Sequence, residues 1–195
     1  TFIVMGPSHR GYLTCTSAIS WETPLGLVDV DQELVRDLDI RVDEYSHRNE
    51  HSIEVQLPFI KYRFPHAMIV PIMMGEQSLV SARNLAERIV TVLSSSGREV
   101  RIVASSDFSH YVPHEVARKQ DLYAIGALEE LQVEEFYRRI EAEGVSACGY
   151  GPIASMVLAL KERGARKGEL LIYRTSGDVT GELDQVVGYG AIAVM

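Results

Sequence analysis

Short strand-like runs alternate with amphipathic segments over most of the chain. This predicts an α/β fold: a single domain with a mixed, mostly parallel central sheet flanked by helices. Two observations carry the reading. "TFIVM", "MIVPIMM" and "EVRIVA" read as strands separated by segments of helical period. "MIVPIMM" is also apolar throughout, the pattern of a strand covered on both faces.

The elements follow in order. "TFIVM" runs directly into the loop "GPSHRG". "DQELVRDLD", residues 31–39, suits a short helix opened by an aspartate. In "EHSIEVQLPFIKYRF", Ile53, Val55, Leu57 and Phe59 alternate like a strand, whereas Ile53, Leu57, Ile60 and Phe64 fit a helical face. A helix capped by Ser52 and bent near Pro58 is favoured, because a central strand does not tolerate that proline. "AMIVPIMMG" is a buried strand, and "SLVSARNLAERIVTVLSSSG" is a helix stopped by Gly97. "EVRIVAS" is the next strand, and residues 114–144 hold one or two amphipathic helices. "GPIASMVLALKERG" is a helix with Pro152 in its first turn and Gly164 as its stop. "ELLIYRTS" and "VVGYGAIAVM" close the chain as strands. No repeat, low-complexity segment or interdomain linker breaks the series.

Composition narrows the function classes. The chain has 195 residues, 46% hydrophobic and 24% charged, ordinary for a soluble globular domain. No apolar run approaches the roughly 20 residues of a transmembrane helix. "TFIVMGPSH" lacks the basic flank and cleavage site of a signal peptide, so a cytoplasmic location is expected. A net charge of −8 argues against broad nucleic-acid binding. In a reducing compartment Cys15 and Cys148 are each read alone, as a small buried side chain or as a reactive or metal-binding thiol.

In open α/β sheets, ligands sit beyond the carboxyl ends of strands. His9 follows the first strand; Asp107 and His110 follow "EVRIVA". If those strands are parallel neighbours, all three face one edge and converge on one pocket. Cys148 precedes the helix that starts near Pro152, where the helix N-terminus is expected to lower its pKa. In "NEHSIE" a histidine, His51, and a carboxylate meet at a helix start. Each candidate also has a plainer role. His9 could bond a carbonyl in its turn, Asp107 could cap local amides, and His51 could order the helix entry; Glu54 reads as a solvated first-turn acid. His47, His66 and His114 lie among polar residues and are expected to be exposed. Tyr12, Tyr111 and Tyr150 suit an aromatic mouth or simple packing. Taken together, two histidines, an aspartate and a thiol match the donor preferences of iron, copper and zinc.

"GPSH", "WETPLG", "EHSIEVQLPF", "SSDFSHY" and "CGYGPI" occur in the order and spacing of the Memo-like proteins, and the chain resembles that family over essentially its whole length. The family in turn is similar to the catalytic subunit of class III extradiol ring-opening dioxygenases, non-haem iron enzymes. The resemblance implies one metal pocket, iron or copper, with His9, His110 and Cys148 as ligands and His110, Asp107 and His51 in catalytic roles. It also implies a preceding strand ending in Pro-His-Ala-Gly-Tyr, whose histidine is a further ligand. This chain starts after that segment, so the metal is expected to be incompletely held and a sheet edge is left open to pairing with another copy.

Two functions of different class follow. The first is metal-dependent redox or metal-handling activity, with His110 carrying a proton and Asp107 orienting it or accepting a proton. A cysteine in place of a facial-triad carboxylate weighs against ring cleavage. The second is a non-catalytic interaction module that recognises a peptide or small ligand in a vestigial pocket. A thiol hydrolase using Cys148 and His110 is a third reading, which requires the two within hydrogen-bond reach.

Overall fold

In the computed structural model, which describes all 195 residues, the chain is an α/β structure with a mixed, mostly parallel sheet flanked by helices. It divides into two compact units: Thr1–Ser105 with Gly151–Met156, and Ser106–Tyr150 with Val157–Met195. No helix is long and apolar enough to cross a membrane.

The first unit contains strands β1 (Phe2–Pro7), β2 (Cys15–Thr16), β3 (Trp21–Thr23) and β4 (Gly26–Val28), and helices α1 (Gln32–Leu38) and α2 (Glu44–His47). A 3-10 turn (Glu54–Gln56) then leads into α3 (Leu57–Arg63), followed by β5 (Ile69–Met74), α4 (Leu79–Ser96) and β6 (Arg101–Ala104). Its main sheet has the order β2-β5-β1-β6. β1 pairs in parallel with β5 on one side and with β6 on the other, and the short β2 pairs antiparallel with β5. β3 and β4 form a separate hairpin.

All six residues of β1 and of β5 are buried, as their unbroken apolar pattern requires. Each fully buried aliphatic side chain there stabilises the fold by about 1.5–3 kcal/mol. Helix α4 buries Ala82, Leu85, Ala86, Ile89, Val92 and Leu93 on one face, starts at a Ser78 cap and stops at Gly97, whose φ is 60°. Helix α1 opens on Asp31, whose carboxylate accepts the Leu34 amide at 3.0 Å.

The segment 50–64 departs from expectation. It is neither a strand nor one continuous helix: the 3-10 turn precedes α3, with Pro58 in the first turn of α3. Ser52 does not cap it. The Ser52 hydroxyl instead donates to the Pro7 carbonyl at the end of β1, at 2.8 Å. His47 was expected to be exposed but is buried, 5% accessible, with its ring edge-on to Trp21 at 5.6 Å. The polar flanks in the sequence gave no sign that α2 packs down on its last residue. His66 is exposed and His114 half-buried, its Nδ1 2.8 Å from the Thr175 hydroxyl.

The second unit contains β7 (His110–Val112), α5 (His114–Glu129), α6 (Val133–Glu143), α7 (Tyr150–Glu162, shared with the first unit), β8 (Gly168–Thr175), α8 (Gly177–Thr180) and β9 (Val186–Val194). Its sheet is antiparallel, in the order β7-β9-β8. The register slips between His110 and Val112, where Tyr111 takes a left-handed φ of 57°. Such an irregularity costs about 1–3 kcal/mol and re-aims the neighbouring side chain, here His110.

Asp121 anchors the chain just before β7. It lies fully buried on the apolar stripe of α5 and accepts the Ser109 hydroxyl at 2.6 Å, the Ser109 amide at 3.1 Å and the Tyr173 hydroxyl at 2.7 Å. Gly188 on β9 makes room for it, since a Cβ there would stand 2.0 Å from Asp121 Oδ2.

Candidate metal centre

The two units each gather one group of metal-capable side chains. In the second unit, Asp107, His110 and Cys148 offer donor atoms that all lie within 4.8 Å of one another. The backbone builds this group by a reciprocal pair of bonds. The Asp107 amide donates to Cys148 Sγ at 3.2 Å, and the Cys148 amide donates to the Asp107 carbonyl at 3.2 Å. Ser106 braces both strands of the pair: its hydroxyl donates to the Asp107 carbonyl at 2.7 Å and accepts the Gly149 amide at 2.8 Å.

His110 is held from its far side. Its ring Nδ1 lies 2.9 Å from the Ser146 carbonyl, and its amide donates to the Ser146 hydroxyl at 2.8 Å. A carbonyl only accepts, so the ring donates from Nδ1 and keeps the lone pair on Nε2. That Nε2 faces Asp107 Oδ2 at 3.7 Å, too far for a hydrogen bond. The hydrogen bond that orients the ring therefore comes from Ser146; of the two roles expected of Asp107, orienting His110 or accepting a proton, its 3.7 Å separation leaves the second. Ser146 acts mainly through its carbonyl, and any residue type would supply one, so no sequence signal marked it.

Cys148 corrects a second expectation. It stands two residues before α7, yet its pKa is raised, not lowered. Burial is the largest cause; the Asp107 amide and the Ser106 hydroxyl pull the other way without reversing it. Cys15 is also buried, and its thiol is pushed up to about 11 by burial and by Asp43, consistent with a packing role.

In the first unit, His9, Glu50 and His51 form the other group. The His9 and His51 rings stack with centroids 4.7 Å apart. Glu50 lies beneath them, its side chain 2% accessible against 37% for His9 and 67% for His51. Its Oε1 is 2.9 Å from His9 Nδ1, 3.5 Å from His51 Nδ1, and accepts the amides of His51 at 2.8 Å and Ser52 at 3.0 Å. Its Oε2 accepts the His9 amide at 2.7 Å. Burial by itself would push this carboxyl up; the bonds from the His9 ring and from the three amides outweigh it and bring the pKa to about 2. Gly6 permits this assembly, because a Cβ at that position would lie 2.5 Å from the Ser52 hydroxyl oxygen.

Sequence reasoning singled out His51 but not Glu50. The burial of Glu50 comes from the approach of the Gly6–His9 turn, which no local pattern encodes. Glu54, read as a solvated acid, is exposed. Tyr150 packs edge-on to Tyr137 at 5.6 Å, while Tyr111 is exposed.

A family model for Memo-like proteins matches residues 1–193. The chain belongs to the Memo-like family. A MEMO1 family protein of Methanosarcina barkeri is 44% identical over 200 residues, covering 100% of this chain and 76% of that protein. One of Methanococcoides burtonii is 46% identical over 200 residues, covering 100% of this chain and 75% of that protein. One of Nitrosopumilus maritimus is 44% identical over 200 residues, covering 97% of this chain and 72% of that protein. In this Memo-like chain both groups of candidate ligands sit in the segments that carried the resemblance: "GPSH" and "EHSIE" in one unit, "SSDFSHY" and "CGYG" in the other.

Proposed function

We propose that the protein holds a redox-active transition metal, iron or copper, and serves redox or metal-handling chemistry. The observation that supports this best is the Asp107–His110–Cys148 group, with nitrogen, oxygen and sulfur donors gathered within 4.8 Å. The donors fit the metals: imidazole suits iron and copper, and a thiolate draws Cu(I). A coordinating thiol is deprotonated by the metal itself, so the raised pKa of Cys148 makes ligation costlier at neutral pH without preventing it. Bound there, such a metal supplies one-electron chemistry.

The chain's own residues then have separate tasks. Cys148 and His110 hold the metal. The Ser146 carbonyl keeps the His110 proton on Nδ1 and so keeps Nε2 available. Asp107, whose side chain is 46% accessible, stands at the rim as a further donor or a proton acceptor. In the first unit, the family resemblance supports a ligand role for His9 and a catalytic role for His51. The substrate is a small molecule or peptide rather than nucleic acid, in keeping with the net charge of −8, and the setting is cytoplasmic.

Iron and copper analysis of the purified protein, and of protein reloaded with each metal, tests this. Wild type is expected to retain metal, and the His110→Ala, Cys148→Ser and His9→Ala variants to lose it. Metal content equal in all four would end the proposal. An unloaded protein that captures its peptide or small-molecule partner at undiminished affinity would favour the non-catalytic interaction module instead.

A further inference from the structure

Glu50 has ligand chemistry but not ligand geometry. Oε2 takes the His9 amide, and Oε1 takes two further amides and the His9 ring. A metal drawn to Oε1 would have to displace one of its three donors, at a cost of about 1–3 kcal/mol for each one stranded, and at Oε2 it would have to share the oxygen with the His9 amide. The carboxylate is also 2% accessible, beneath rings that are far more open. We infer that Glu50 is the positioning residue of His9: it holds the ring proton on Nδ1 and leaves the lone pair on Nε2 for a metal.

Three features lead there. An ionised carboxylate only accepts, so the 2.9 Å contact requires the His9 ring to donate from Nδ1. The same carboxylate grips the main chain of the same residue through Oε2, which fixes the ring as well as its tautomer. The second candidate imidazole is set in the same way by a different acceptor, the Ser146 carbonyl 2.9 Å from His110 Nδ1. An acceptor behind Nδ1 is the usual support of a histidine that ligates through Nε2, and losing such support costs roughly 10–100-fold in metal affinity. That His9 is a ligand rests on the proposed function; that Glu50 sets its tautomer does not.

The decisive measurement is the His9 tautomer in the metal-free, nitrogen-15-labelled wild type, read from long-range proton–nitrogen spectra at neutral pH. The Nδ1–H form is expected, and a ring protonated on Nε2 overturns the inference outright. Glu50→Ala is expected to give a mixture of tautomers and roughly 10–100-fold weaker Co²⁺ binding, read by visible absorption. A folded Glu50→Ala protein with a single Nδ1–H tautomer and wild-type Co²⁺ affinity also overturns it. If that variant does not fold, because it strips three amides of their acceptor, the wild-type tautomer decides alone. A wild type with the expected tautomer that binds no Co²⁺, iron or copper would remove the metal reading while leaving the positioning of His9 intact.

Discussion

The Asp107 amide donates to the Cys148 sulfur at 3.2 Å, while the Cys148 amide returns a bond to the Asp107 carbonyl. This pairing locks the loop after β6 to the segment before α7, and it seats the thiol where burial dominates its ionisation. A thiol must ionise to attack an electrophile. Metal-free protein is therefore expected to react with iodoacetamide at Cys148 several-fold more slowly at neutral pH than a small-molecule thiol does. Labelling at or above that reference rate would restore the thiol-hydrolase reading, which needs an activated Cys148.

Glu50 gives the protein an acid-sensitive joint. Its folded-state pKa of about 2 lies below the ordinary 4.5, so the unfolded chain binds the proton more readily. The stability it contributes is complete above pH 4.5 and is lost as pH falls towards 2. The shift corresponds to on the order of 3 kcal/mol across that window. Urea melts of wild type and Glu50→Gln at a series of pH values check this. The variant should be less stable at pH 6, and its stability should fall less between pH 4.5 and 2. Parallel curves would show that the carboxylate is not the titrating joint.

Much of this architecture is legible along the chain, and the misses share a cause. Strands β1 and β5 follow from unbroken apolar runs, and α4 from its period, its Ser78 cap and its Gly97 stop. His9, His110 and Cys148 stand out because chemistry-bearing residues follow strands or precede a helix. Glu50, the Ser146 carbonyl and the burial of His47 do not stand out, because each depends on a segment distant in sequence or on main-chain atoms. Asp121 could have been found: an acid in register with Ala117, Ala124 and Leu128 on one helix face signals a buried polar anchor. The thiol misreading weighed the helix end and left out burial, the largest cause acting on Cys148.

His47 predicts a second pH window. Both ring nitrogens are shielded and make no hydrogen bond; the Cys15 carbonyl favours the charged ring without reaching hydrogen-bond geometry. Burial lowers the pKa below 6.5, against the opposing pull of that carbonyl and of Glu44, Asp43 and Glu50. The unfolded chain then takes up a proton that the folded ring refuses, so stability should decline as pH drops below about 6.5. His47→Phe should remove that decline and match or exceed the wild type by about 1 kcal/mol at pH 6, since no buried polar atom is left unbonded. Emission from Trp21, the chain's only tryptophan and the ring's neighbour at 5.6 Å, gives the unfolding signal. A variant that is less stable at every pH would mean that the imidazole has a partner worth keeping.

Gly6 tests whether the turn that carries His9 depends on close approach rather than on backbone freedom. A Cβ there would meet Ser52 Oγ at 2.5 Å, Ser52 Cβ at 2.9 Å and Ile53 Cγ1 at 3.0 Å. Gly6→Ala is thus expected to destabilise the protein by about 1–3 kcal/mol through overpacking. Ser52→Gly alone should also destabilise it, because the bond to the Pro7 carbonyl is lost and a glycine is introduced. Together the two changes remove the Ser52 atoms that the new methyl strikes, so the double variant should be more stable than the sum of the singles implies, by about 1 kcal/mol. The contact at Ile53 Cγ1 remains, and relief should therefore be incomplete. Strict additivity in chemical denaturation would show that Ser52 and the end of β1 do not press on each other, and that the seat proposed for His9 is looser than its 2.8 Å bond indicates.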